Sequence, residues 1–68
     1  MYNKQLFKAM LVAHESSPND LADVINKRID AVYNKINGKT EFTRKELSLI
    51  KSHYGLSIDE MDAIFFAR

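Results

Sequence analysis

The chain predicts an all-α protein: one small domain of five helices. Three observations carry that expectation. Helix-start signals recur along the chain, apolar residues repeat at helical spacing between them, and nowhere do apolar and polar residues alternate in the period of a strand. At 68 residues the chain has room for a single domain, 1–68, with one core.

Helix 1 is expected from about Asn3 to His14. Leu6, Phe7, Met10, Leu11 and Ala13 form a broad apolar stripe, Lys4 and Lys8 lie opposite, and Glu15-Ser16-Ser17 ends it. Helix 2 begins at an N-cap, Ser17, followed by Pro18 at the first helical position and Asp20 in the electropositive first turn. Leu21, Ala22, Val24 and Ile25 make its inner face, and Asn26, a residue that tolerates the left-handed conformation, stops it.

Helix 3 spans about Ile29 to Asn37. Ile29, Val32, Tyr33 and Ile36 share one face; Asp30, Ala31, Asn34 and Lys35 take the other; Asn37-Gly38 closes it. Thr43-Arg44-Lys45-Glu46 and Ser57-Ile58-Asp59-Glu60 are two capping boxes that open helices 4 and 5. Leu47, Leu49 and Ile50 are the apolar positions of helix 4, which closes before Gly55. Met61, Ile64 and Phe65 or Phe66 supply the buried side of helix 5. The expected core is Leu6, Met10, Leu21, Ala22, Ile25, Val32, Ile36, Phe42, Leu47, Ile50 and Ile64. Phe65 and Phe66 are both expected to close it, the sharper alternative being an outward ring that serves a homodimer or heteromer contact.

Composition narrows the function classes. The chain has no cysteine, so neither a disulfide framework nor a thiolate zinc site is available, which fits a reducing cytoplasm. The longest apolar runs, Ala9 to Ala13 and Ala63 to Ala67, fall far short of a membrane span, and the N-terminus carries no signal-peptide pattern. His14 and His53 have no ligand at metal-like spacing. Asp59 and Glu60 are first-turn acids of helix 5 before they are cation ligands. No phosphate loop, nucleophile elbow or Ser/His/Asp grouping is visible. The expectation is therefore no enzyme, no cofactor, no metal and no small-molecule substrate.

Net charge is +1, but it is unevenly spread. Residues 27–51 hold seven bases (Lys27, Arg28, Lys35, Lys39, Arg44, Lys45, Lys51) against Asp30, Glu41 and Glu46, while the flanking segments are acidic on balance. A basic middle between acidic ends points to a polar surface with a binding role. Within it, two short helices are joined by Asn26-Lys27-Arg28, the spacing of a helix-turn-helix, in which the second helix enters the major groove.

Leu21-Ala22, Val32, the stretch Lys35-Ile36-Asn37-Gly38-Lys39-Thr40-Glu41-Phe42-Thr43 and the ending Gly55-Leu56-Ser57-Ile58-Asp59-Glu60-Met61-Asp62-Ala63-Ile64-Phe65-Phe66 together resemble the small temperate-phage regulators of the Cro and repressor type, the XRE-like family. The resemblance covers roughly residues 6 to 66. It implies a five-helix fold, helix 3 as the recognition helix, operator DNA as partner, a role in the lysis–lysogeny switch, and the cytoplasm of a bacterial host. The family's base-reading positions fall on Ile29, Asp30, Tyr33 and Asn34. Its phosphate contacts fall near Ser17 and near Lys39 and Thr40. Asn34 can bond adenine, and Lys35 and Lys39 can neutralise phosphate.

The chain departs from the family at the turn. Asn26, Lys27 and Arg28 stand where a small, an apolar and a capping residue are usual, and Arg28 is a poor helix cap. Ile29 suits a core or interface better than a base edge, and Asp30 carries the wrong sign for phosphate. These departures support an alternative partner, the cognate phage repressor. An antirepressor or modulator of repression would dock on the repressor's DNA-binding face, with Asp20, Asp23 and Asp30 meeting its basic residues and Ile29 and Tyr33 as apolar anchors.

Overall fold

The computed structural model describes residues 1–66. Among them five helices run in order: α1 (Lys4–Ala13), α2 (Pro18–Ile25), α3 (Ile29–Ile36), α4 (Arg44–Tyr54) and α5 (Ile58–Phe65). No strand forms among the described residues, and no helix there is long and apolar enough to cross a membrane.

Local chemistry fixes most helix ends. Asn3 caps α1, its side chain accepting from the Leu6 N–H at 3.0 Å. Both expected capping boxes form: Thr43 with Glu46, and Ser57 with Glu60, each cap side chain bonding the third helical N–H while the acid bonds back. Ser17 and Asp20 make a third box at α2, where the sequence reading has Asp20 acting only through the helix dipole. Asn26 ends α2 in the left-handed region (φ 55), as Gly55 ends α4 (φ 63). Arg28 provides no side-chain cap for α3. At the end of α1, Glu15 takes a positive φ of 53, and Ser16 N–H returns to the Leu11 carbonyl at 2.8 Å.

The helices close around one core. α2 packs on α3 and α4, and α1 packs on α5 and α3. Phe7, Leu21, Val32 and Ile50 are fully buried at its centre, joined by Met10, Leu11, Ile25, Ile36, Tyr54, Leu56, Met61, Ile64 and Phe65. Burial of this apolar surface is the main driving force for a chain with no cross-link.

The core differs from the expected one in several places. Leu6 is 43% exposed rather than buried, because Phe7, Met10 and Leu11 define the inner face of α1 and Leu6 sits at its edge; Ala13 is also exposed. Ala22, Phe42 and Leu47 pack against the core while only partly buried, as do Val24 and Ile29. Tyr33, placed by spacing on the apolar face of α3, is 49% exposed. Val32 and Ile36 fill the interior, and Tyr33, one residue on from Val32, is turned about 100° away. The same rotation separates the two final aromatics. Phe65 is buried and Phe66 is 54% exposed, so they do not both close the core.

The N-terminal segment is stitched across the bundle. Asn3 N–H donates to the Ile64 carbonyl at 2.6 Å. The Tyr2 ring lies against Phe7, Phe42 and Phe65 at centroid distances of 6.0–6.2 Å. This aromatic group locks together α1, α5 and the α3–α4 loop.

Candidate nucleic-acid interface

Two short helices and the segment after them carry most of the sequence-predicted residues, and seven of them are exposed there: Lys27, Arg28, Asp30, Tyr33, Asn34, Lys39 and Thr40. α2 ends where the Asn26 and Lys27 N–H groups both reach the Ala22 carbonyl, and the chain turns through Lys27 and Arg28 into α3. Lys27 and Arg28 are exposed. Ile29 is half-buried against the core, which agrees with its apolar character and takes it off the open surface.

α3 buries Val32 and Ile36 and opens the opposite face, where Asp30, Tyr33, Asn34 and Asn37 follow each other at i, i+3, i+4 and i+7. All four are exposed. Asp30 also lies in the first turn of α3, where its charge opposes the uncapped end of the helix. A shallow groove of about 430 Å³ runs from this face toward α1 and the start of α2, with Lys8, Val12, Pro18, Tyr33 and Asn37 along it. Lys8, Val12 and Asn37 belong to this surface, although the sequence places Lys8 only on the solvent face and Asn37 only at the helix end, and gives Val12 no role. Extending the Asp30–Tyr33–Asn34 stripe by one turn reaches Asn37; nothing local brings α1 beside α3.

Beyond α3 the chain folds back. The Lys39 and Thr40 N–H groups both point to the Asn34 carbonyl, at 2.9 and 3.4 Å, and Gly38 supplies the positive φ of 82 that this turn requires. Lys39 and Thr40 are thereby exposed just past the C-terminus of α3.

Three predicted residues are engaged within the chain. The Ser17 N–H and hydroxyl both bond the Asp20 carboxylate, at 2.9 and 3.1 Å. The backbone bond first, then the hydroxyl, hold the Asp20 carboxyl below its ordinary range. The α2 N-terminus therefore already has an anion on it. Lys35, expected on the solvent side as a phosphate neutraliser, turns inward: its ammonium lies 3.0 Å from Glu46 Oε1, with both side chains largely buried. Burial by itself raises the Glu46 carboxyl. The Thr43 N–H, the Lys35 ammonium and the Thr43 hydroxyl together outweigh it and hold Glu46 below the usual carboxylate range.

Asp20 and Asp23 do not share the α3 face. They line a separate open cleft of about 560 Å³ with His14, His53 and Tyr54, where the Tyr54 hydroxyl meets Ser16 Oγ at 2.6 Å. No group of three or more His, Cys, Asp or Glu side chains suited to a metal ion occurs among the described residues.

Comparison with protein-family models, with curated proteins and with solved structures gives no match to this chain.

Proposed function

We propose that the chain is a DNA-binding regulator of the phage Cro and repressor type, acting in the cytoplasm of a bacterial host, with α2 and α3 as its helix-turn-helix and α3 as the recognition helix. The observation that carries this reading is the open face of α3. Asp30, Tyr33, Asn34 and Asn37 line it, Lys27 and Arg28 stand exposed at one end, and Lys39 and Thr40 stand exposed at the other. Base edges are read by side chains on an inserted helix, and the helix is positioned by phosphate contacts on either side. Eight residues make α3 about 12 Å long, comparable with the width of the major groove. Asn34 reads adenine; Lys27, Arg28, Lys39 and Lys8 neutralise phosphate. The resemblance in the segment from Lys35 to Thr43 supports the same assignment.

Enrichment from a pool of duplexes with a randomised core tests it. The expected result is a shared short motif and a binding constant that falls steeply with salt. No enrichment, and no retardation of any duplex at low ionic strength, would overturn it.

One observation favours a second reading. The Asp20 carboxylate occupies the α2 N-terminus, where the family places a phosphate, and Asp23 is exposed beside it. An antirepressor would use such acids against the basic DNA-binding face of its cognate repressor. Mobility-shift measurements on switch-region DNA with the protein, the repressor and their mixture separate the two. Release of repressor from DNA, without a shift by the protein alone, selects the second.

A further inference from the structure

We infer that Lys35 is a positioning residue: its buried pair with Glu46 sets the place of the 37–43 segment, and so of Lys39 and Thr40, against α3. The inference rests on the DNA-binding reading for its functional consequence, but its structural part stands on separate observations.

The segment is fixed at its start by the Lys39 and Thr40 N–H bonds to the Asn34 carbonyl. Its far end has no strand or disulfide to hold it. What holds it is the Phe42 ring packed among Tyr2, Phe7 and Phe65, the Thr43–Glu46 capping box, and one ammonium group that links the two. Lys35 Nζ donates to the Glu41 carbonyl at 3.0 Å and pairs with Glu46 Oε1 at 3.0 Å, and the same oxygen accepts the Thr43 N–H at 2.8 Å. The Phe42 ring centroid lies 5.9 Å from that ammonium. One side chain on α3 thus ties a loop carbonyl, the loop's aromatic anchor and the first turn of α4.

The arrangement is selective because it is buried. Glu46 is 2% exposed and its Oε2 has no hydrogen-bond partner among the described residues, so the carboxylate depends on what Oε1 receives. Removing the ammonium leaves a buried charge held only by the Thr43 N–H and hydroxyl. The cheapest relief is movement of the 41–46 turn toward water, which carries Lys39 and Thr40 with it. Lys35 therefore affects phosphate contacts without making one.

The test combines hydrogen exchange with a binding cycle. In Lys35→Met, exchange protection of the Lys39 and Thr40 amides should fall by about tenfold or more, without DNA present. Should Lys35→Met not fold, Lys35→Met with Glu46→Gln keeps an acceptor for Thr43 and leaves no buried charge; the lost tie to the Glu41 carbonyl should still lower that protection, by less than in the single variant. Binding to a mixed-sequence duplex is then measured for the wild type, Lys35→Met, Lys39→Ala and the double variant. If Lys35 positions Lys39, the double variant is no weaker than the worse single one. Additive losses, with a salt slope reduced by about two units, would make Lys35 a direct phosphate contact and overturn the inference. Unchanged amide protection in both variants overturns it as well. Faster exchange in the Lys35 variants, together with a wild type that binds no duplex, supports the positioning role and removes the DNA-binding reading instead.

Discussion

The Tyr2 hydroxyl donates to the Ile36 carbonyl at 2.9 Å, joining the second residue of the chain to the last turn of α3. That carbonyl is one of the four a helix leaves without an internal donor, so the bond satisfies a real deficit. Desolvation by burial pushes the Tyr2 phenol from 10.0 up to about 12. The folded state therefore holds this proton more tightly than the unfolded chain does. The associated stability is complete below pH 10.0 and is lost as pH rises toward about 12. Tyr2→Phe should cost about 0.5–1.5 kcal/mol at neutral pH, and it should remove the highest-pH step of the tyrosinate absorbance titration. An unchanged titration would place the high-pH step on another tyrosine.

Ile36 and Leu6 form a contrasting pair for stability. Ile36 is 3% exposed and central; Leu6 is 43% exposed. Ile36→Ala should cost roughly 2–5 kcal/mol, much of the stability of so small a domain. Leu6→Ala should stay within about 1 kcal/mol. Urea unfolding of both variants checks the order; equal losses would mean that the inner face of α1 is misassigned.

Acid should loosen the helix starts. Asp20 and Glu60 are held below their ordinary values of 3.8 and 4.5, first by the backbone N–H and then by the side chain of their cap residues, Ser17 and Ser57. Glu46 is also lowered, its hydrogen bonds and the Lys35 charge outweighing burial. A carboxylate with a lowered folded pKa contributes stability above its unfolded pKa and loses it as pH falls through the folded one. The thermal midpoint should therefore drop below about pH 4.5 while staying nearly flat above it. Ser57→Ala should lower stability by about 1 kcal/mol and make that acid slope shallower. A slope unchanged by Ser57→Ala would remove Glu60 from the account.

Asn34 and Lys39 should fail in different ways under the DNA-binding reading. Asn34→Ala should lose about 1–3 kcal/mol at one base position and relax specificity there. Lys39→Ala should weaken every sequence alike and reduce the salt slope by about one unit. Binding titrations against the enriched duplex and its single-base variants distinguish them. Equal effects on all duplexes would take base reading away from Asn34.

Asp30 separates the two proposed functions. Its carboxylate is exposed in the first turn of α3, so Asp30→Asn changes charge with little change in packing. Against DNA, the change should leave affinity intact or raise it, unless Asp30 accepts from a cytosine. Against a repressor's basic face, it should cost on the order of 2–5 kcal/mol, mostly in dissociation rate, if the pair it breaks is desolvated. Titration with the enriched duplex and with the repressor reads both. Gained DNA affinity with unchanged repressor affinity would sink the acidic-face version of the antirepressor.

Much of this molecule is legible along the chain because the interactions responsible are local. The capping boxes join residues three apart, Asn26 and Gly55 end helices by their own backbone freedom, and helical spacing puts Asp30 and Asn34 on the outward side of α3, though it also puts Tyr33 inward and Lys35 outward, against the structure. These features fix five helices, their order and close to their limits, and they mark Asp30, Asn34, Lys27, Arg28 and Lys39 as exposed before any packing is known.

Only the tertiary structure decided which neighbours those helices have. Lys35 and Glu46 are eleven positions apart, Tyr2 and Ile36 are 34 apart, and Ser16 and Tyr54 are 38 apart. No periodicity in the sequence encodes such pairs, because they depend on how a loop bends and on which face of one helix lies against another. The same reason explains Phe65 and Phe66: both are equally apolar, and one enters the core only because packing fixed the rotation of α5. Charge by itself marks Lys35 for solvent. Burial beside Glu46 outweighs that preference, since an ammonium paired with a carboxylate and a carbonyl no longer needs water.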